Sequence, residues 1–202
     1  MGNRLTELRR YNLILASRSP RRQMLLQGLD LSFEIKVKNT KEVYPDDMHY
    51  EEVPEFLAKL KAAAFNLEDL KKNDIIITAD TIVVLDGEII EKPKTKEEAV
   101  AILKKLSGRE HQVITGVCFT SKNLQKHFSS SSLVKFRDIN DQDIAYYVEE
   151  YMPLDKAGAY GIQEWIGYVA IEKITGSFYN VMGLPTQILF EELIAFTNSM
   201  KY

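Results

Sequence analysis

Ile75-Ile76-Ile77-Thr78-Ala79-Asp80-Thr81-Ile82-Val83-Val84-Leu85-Asp86-Gly87-Glu88-Ile89-Ile90 is the stretch from which the fold reads most directly. Ile75 to Thr78 has the length and apolar continuity of a buried strand, ending at Ala79-Asp80-Thr81. Ile82 to Leu85 and Glu88 to Ile90 flank Asp86-Gly87, a two-residue hairpin signal, because that turn needs positive φ at both central positions. Upstream, Glu51 to Leu70 places Val53, Phe56, Leu57, Leu60, Ala64 and Leu67 at helical spacing. Further upstream, Tyr11 to Ala16 reads as a strand entering a helix at Ser17-Arg18-Ser19-Pro20-Arg21-Arg22. Ser19 is the expected N-cap, Pro20 the first helical residue and Gly28 the stop. Phe33, Ile35 and Val37 alternate as a strand, and residues 39–50 read as a loop.

Downstream, Thr95 with Glu98 forms a capping box before Ala99, Ile102, Leu103 and Leu106, and Gly108 closes that helix. Val113 to Thr120 and Ser132 to Arg137 read as paired strands, Asp141 to Tyr151 as a helix, and Gly158, Gly161 and Gly167 as a glycine-rich loop. Tyr168 to Ile174 reads as a strand and Pro185 introduces a last helix. Residues 1–10 read as a charged helical lead-in. Strands and helices intermix from end to end without a Gly/Ser/Pro-rich boundary. The expectation is one α/β domain over residues 1–202, with a mixed sheet flanked by helices.

The chain has 202 residues, 45% of them hydrophobic and 27% charged, values typical of a soluble globular protein. Mean hydropathy is -0.21 and the pI about 5.7. Lys plus Arg is 26 against Asp plus Glu 29, a net charge of -3. No basic excess is present to track polymeric nucleic acid. Cys118 is the single cysteine, so no internal disulfide and no paired-cysteine metal motif can form. His49, His111 and His127 lack ligand spacing, which argues against zinc. No apolar run approaches the roughly 18 residues of a membrane span, and no secretory signal is read at the N-terminus. A cytoplasmic protein without membrane attachment is expected.

Five stretches are candidates to carry chemistry. At Ser17-Arg18-Ser19-Pro20-Arg21-Arg22, a helix N-terminus with two hydroxyls and two arginines suits a phosphate, although a plain capped helix has the same letters. Asp80-Thr81 ends an apolar strand, where ligands of open α/β sheets collect, and Asp80 can hold Mg²⁺ or orient water. Lys92-Pro93 follows the hairpin and can return a cation to that edge. Asp155-Lys156-Ala157-Gly158-Ala159-Tyr160-Gly161-Ile162-Gln163 and Gly176 to Pro185 are loops whose small residues permit close backbone approach. Cys118 sits in a strand pattern and reads as a packing residue.

In combination these stretches resemble the Maf family of nucleoside triphosphate pyrophosphatases, from about Leu13 to Phe196. The resemblance rests on Ala16 to Arg22, Leu57 to Ala62, Ala79 to Val83, Glu91-Lys92-Pro93, Leu106 to Val117, Asp155 to Gln163 and Gly176 to Pro185, in that order. The Ser-Pro-Arg-Arg, Ala-Asp-Thr and Gly-Ile-Gln wordings are similar to the branch acting on dTTP and UTP. The resemblance implies an elongated α/β fold of two lobes with a central cleft, often a homodimer, and hydrolysis of the triphosphate to monophosphate and pyrophosphate with Mg²⁺ or Mn²⁺. It implies Asp80 as proton acceptor, Arg21, Thr81 and Gln163 as specificity positions, and Ser17, Arg22, Glu42, Lys61 and Lys92 as polar substrate contacts. Ser19 joins them through its place at the helix start. Glu42 and Asp80 are the expected metal ligands. One departure is clear: the family often continues Gly-Ile-Gln with glycine, whereas this chain has Glu164-Trp165. The competing reading is a binding module that senses a nucleotide and signals to a partner, for instance in cell division. Asp80 favours the enzyme, since a carboxylate facing a polyanion gains a pure binder nothing unless a metal intervenes.

Overall fold

The computed structural model describes residues 4–200. In chain order the elements are α1 (Arg4–Leu8), β1 (Asn12–Leu15), α2 (Pro20–Gln27), β2 (Phe33–Ile35), α3 (Val53–Ala63), β3 (Asp74–Leu85), β4 (Glu88–Ile90), α4 (Lys96–Leu106), β5 (Glu110–Thr120), β6 (Gln125–Phe136), α5 (Asp141–Tyr151), α6 (Trp165–Ala170), β7 (Ile171–Thr175), α7 (Phe178–Met182) and α8 (Thr186–Ser199). The strands form a seven-stranded sheet in the order β2-β1-β3-β5-β6-β7, with β4 added to β3. β1 pairs in parallel with both β2 and β3, whereas β3 with β4 and β6 with β7 are antiparallel. The sheet is therefore mixed and the class α/β, as the sequence led us to expect. The expected lead-in helix is present as α1, while residues 1–3 lie outside the described residues.

The chain divides into two compact units. One comprises the residues up to Asp80, Thr115–Ser130 and Gly183 onward; the other comprises Thr81–Ile114 and Ser131–Met182. In the first, β1 is buried at Leu13, Ile14 and Leu15, and Phe119 packs against Phe128 and Phe196 at centroid distances of 5.6 and 5.7 Å. α2 begins as its sequence dictates: the Ser19 hydroxyl accepts from the Arg22 amide, and Pro20 occupies the first turn. Arg4 of α1 pairs with Glu191 of α8 and lies 5.1 Å from the Phe190 ring centroid.

α3 is shorter than the periodicity suggested, ending at Ala63, with a 3-10 turn at Leu67–Asp69. Its seat on the sheet is close. A Cβ on Gly116 would lie 2.3 Å from the Glu55 nitrogen and the Pro54 carbonyl carbon, so β5 can approach the start of α3 only without a side chain there. Three residues on, the buried Thr78 hydroxyl donates to the Ala58 carbonyl at 2.7 Å. Ala58, Ala62 and Cys118 complete the contact, which places Cys118 in packing; burial raises its thiol above the ordinary value.

In the second unit, Asp86 and Gly87 take φ of 54° and 82°, the left-handed pair that the Asp-Gly turn requires. Thr95 caps α4 by accepting from the Glu98 amide at 3.2 Å, and the Glu98 carboxylate accepts from the Lys94 amide at 2.7 Å. Two expectations change. β3 does not end at Ala79 to Thr81; it runs unbroken to Leu85 and is buried at every position but Thr81, so Asp80 lies mid-strand. A strand covered on both faces shows no alternation that would mark its course. Tyr168 to Ala170 belongs to α6, not to a strand, and Tyr168 is 83% exposed. So short an apolar run fits either state. The carbonyls of Val169 and Ala170 accept from Arg137.

His111, Phe136 and Tyr160 form a buried aromatic cluster, with His111 Nε2 and Tyr160 Oη 2.8 Å apart. Burial lowers the His111 pKa from 6.5 to about 4. The unfolded chain therefore binds a proton between those values that the folded chain does not. The stability tied to this residue is complete above pH 6.5 and is lost as pH falls towards 4, amounting to about 3 kcal/mol across the window. Urea titrations of the wild type and His111→Gln at pH 7, 6, 5 and 4.5 should show the variant losing less stability on acidification. Parallel curves would mean that His111 does not carry the acid sensitivity.

Candidate active site

Thr78 and Asp80, two apart on β3, project to the same face of the strand. Ala58 and Lys61, three apart on α3, share a face of the helix. The Thr78–Ala58 hydrogen bond therefore brings Lys61 over Asp80, and Lys61 Nζ lies 2.6 Å from Asp80 Oδ1. Glu42, from the loop before α3, reaches the same ammonium at 3.1 Å. The Lys61 and Asp80 side chains are 15% and 10% exposed, against 45% for Glu42. One cation thus holds two carboxylates that would otherwise repel, and only Glu42 opens broadly to water.

The Ser17 to Arg22 segment is built beside it. The Ser17 hydroxyl accepts from the Ser19 amide at 3.2 Å, and Ser17 is buried. Arg22 donates through Nε to the Gly183 carbonyl and through Nη1 to the Ala79 carbonyl, both at 2.8 Å. It braces the backbone next to Asp80 and stays within the same segment as the serines. Burial pulls its guanidinium pKa down from the ordinary value, opposed by the Asp80 carboxylate. Arg21 is half-buried on the same helical turn. The structure thus brings Ser17, Ser19, Arg22, Glu42, Lys61 and Asp80 together within the first unit.

Thr81, Lys92 and Gln163 belong to the second unit. Thr81 is the half-buried position of β3, and Lys92 is exposed in the segment after β4. Gln163 lies in the turn before α6. Its Oε1 is buried and has no hydrogen-bond partner among the described residues. A buried acceptor without a donor costs about 1–3 kcal/mol, so a ligand N–H there would remove a standing penalty.

The turn around Gln163 is tied down on both sides. The Gly161 amide donates to Tyr147 Oη at 3.0 Å, and the Tyr147 hydroxyl donates to Glu164 Oε2. Lys156 Nζ lies 3.2 Å from Glu164 Oε1 and 2.7 Å from Asp155 Oδ1. A Cβ on Gly161 would sit 2.7 Å from the Glu164 carboxyl carbon, so the loop glycine is what lets this carboxylate fold back. Sequence reasoning passed over Thr78, Gly116 and Tyr147. Each looks like ordinary strand or helix composition, and only the contact across elements distinguishes it.

Residues 12–196 match the family model described as Maf-like protein. A Porphyromonas gingivalis (strain W83) protein named dTTP/UTP pyrophosphatase is 50% identical over 197 residues, covering 96% of this chain and 99% of the relative. Relatives with the same name from Phocaeicola vulgatus and Flavobacterium johnsoniae are 49% and 48% identical, covering 94% and 93% of this chain and 98% and 96% of their own lengths. Among solved structures, the Staphylococcus aureus Ham1 protein aligns with a TM-score of 0.50 at 18% identity, covering 90% of this chain and 99% of that one, which is a likeness of fold.

Removing one partner of a buried ion pair leaves an uncompensated charge and costs about 3–5 kcal/mol. Lys61→Met should therefore lower the unfolding free energy by about 3 kcal/mol, and adding Asp80→Asn should restore part of it. If denaturant titrations show the double variant less stable than Lys61→Met alone, the pair is not the source of the loss.

Proposed function

The chain belongs to the Maf family, and from that premise we propose that it hydrolyses dTTP and UTP to the nucleoside monophosphate and pyrophosphate, clearing surplus or modified nucleotides. The convergence of Glu42 and Asp80 on Lys61 carries this reading. It joins a proton acceptor to a cation in a mostly buried setting, where charge acts strongly. Asp80 takes the proton of the water that attacks the α-phosphorus. Lys61 holds Asp80 in place and offers positive charge to the triphosphate, while Arg21 and Lys92 add to that charge. Ser17 and Ser19 contribute hydroxyls at the start of α2, and Arg22 keeps Ala79 and therefore Asp80 in register. Gln163 reads the base: its unpartnered carbonyl oxygen accepts N3–H of uracil or thymine, and its amino group donates to the adjacent base carbonyl. Cytosine has an acceptor at N3, which faces that oxygen unfavourably. Thr81 adds to this selectivity.

The side chains present fit a divalent cation such as Mg²⁺ or Mn²⁺. Glu42 and Asp80 are hard oxygen donors, and no group of three or more His, Cys, Asp and Glu suited to a metal occurs among the described residues, so water and phosphate oxygens would complete its coordination. When bound, such an ion neutralises charge on the phosphoryl oxygens. A homodimer in the cytoplasm completes the proposal. No described helix is long and apolar enough to cross a membrane, and light scattering on the purified protein reads the oligomeric state.

Incubation with UTP and Mg²⁺ should release pyrophosphate and UMP, and a chelator should stop the reaction. Orthophosphate with UDP would overturn the assignment. Asp80→Asn keeps the shape of the side chain but loses its basicity, so kcat should fall on the order of 10²–10⁴-fold with the circular dichroism spectrum retained. Turnover near the wild-type rate would remove Asp80 from the chemistry.

A further inference from the structure

We propose that Glu164, held by Tyr147 and Lys156, is a positioning residue that sets base selectivity by fixing the turn that carries Gln163. The inference rests on the reading of Gln163 as the base contact. An amide distinguishes uracil from cytosine only while its oxygen and nitrogen keep their places, since a flip exchanges donor and acceptor. Gln163 Oε1 has no protein donor to hold it. The place from which the amide reaches a base is therefore set by the backbone on either side, and a shift of that backbone misaligns both its oxygen and its nitrogen.

That backbone is closed twice. The Glu164 amide donates to the Gly161 carbonyl at 2.9 Å, spanning Gln163 with a tight turn. The Glu164 side chain then returns over Gly161, where its carboxylate accepts the Tyr147 hydroxyl, which itself accepts from the Gly161 amide at 3.0 Å. Residues 161 and 164 are thus fastened through both main chain and side chain, with Gln163 inside the loop. Lys156, 7% exposed, balances the carboxylate at 3.2 Å and links it to Asp155. Tyr147 is fully buried on α5, so the anchor point is a rigid helix. Burial and the adjacent carboxylate raise the Tyr147 ionisation above its ordinary value, which keeps the hydroxyl a donor.

The test compares kcat/KM for UTP and CTP in the wild type, Gln163→Leu, Tyr147→Phe, Glu164→Ala and the Gln163→Leu/Tyr147→Phe double variant. Circular dichroism and thermal melting establish that each is folded. A bidentate contact discriminates by roughly tenfold or more. Tyr147→Phe and Glu164→Ala should each lower the UTP/CTP ratio by about that factor, and the double variant should fall no further than Gln163→Leu. Glu164→Gln, which retains an acceptor for Tyr147, should keep most of the ratio. A merely structural role would lower both nucleotides equally; that result, or an unchanged ratio, overturns the proposal if Gln163→Leu still collapses the ratio. A ratio unchanged in Gln163→Leu overturns the base reading itself, and this inference with it. If Tyr147→Phe does not fold, Glu164→Ala decides the outcome.

Discussion

The ammonium of Lys61, shared by Asp80 and Glu42, constrains the structure around it. The Asp80 carboxylate, largely withdrawn from water, needs a cation beside it, and the same cation draws in the more exposed Glu42. Lys61 is the third residue after Ala58 on a helix, so its reach is fixed by where α3 sits. That seat in turn depends on Thr78, on the missing side chain of Gly116, and on the small residues Ala58 and Ala62. A charge–charge contact thereby dictates an uncharged packing arrangement. The same necessity explains Arg22, whose two bonds to backbone carbonyls keep the strand from drifting away beneath the lysine.

The turn around Gln163 solves a different problem by related means. The Gln163 side chain has no bond of its own at its oxygen, so the place of this residue is set by its neighbours. Tyr147, Lys156 and Glu164 form a small polar network in which the Tyr147 hydroxyl both donates and accepts. Buried polar groups of this kind reward complete satisfaction and penalise partial satisfaction. A single truncation there therefore disturbs geometry well beyond the atom removed.

Much of this was legible in the order of residues. Ser19-Pro20 marks the start of α2, Thr95 with Glu98 the start of α4, and Asp86-Gly87 a hairpin, because each device is local and its chemistry is written in adjacent letters. Glu42, Lys61 and Asp80 were singled out together through family resemblance; the structure supplies the distances. What escaped was non-local. The length of β3 was hidden because burial on both faces erases periodicity. α6 was hidden because six apolar and small residues suit two states. The structural work of Arg22 was hidden because an arginine near serines looks the same whether it faces a phosphate or a carbonyl. Tyr147 carried no sign at all, since its partners lie fourteen and seventeen residues away along the chain.

The first compact unit is assembled from three separated lengths of chain: the residues up to Asp80, Thr115–Ser130, and Gly183 onward. Its aromatic packing joins Phe119 and Phe196, and its outer ion pair joins Arg4 to Glu191. Closing contacts across such long intervals of chain carries an entropic cost before any of them is rewarded. During synthesis, the Lys61–Asp80 pair leaves the ribosome more than a hundred residues before α8, the helix that finishes its unit. The nascent protein therefore passes through a long interval in which this ion pair exists as sequence but not within a finished unit. Ribosome stalling before Gly183 would yield a chain that carries Glu42, Lys61 and Asp80 without the last segment of the unit that brings them together.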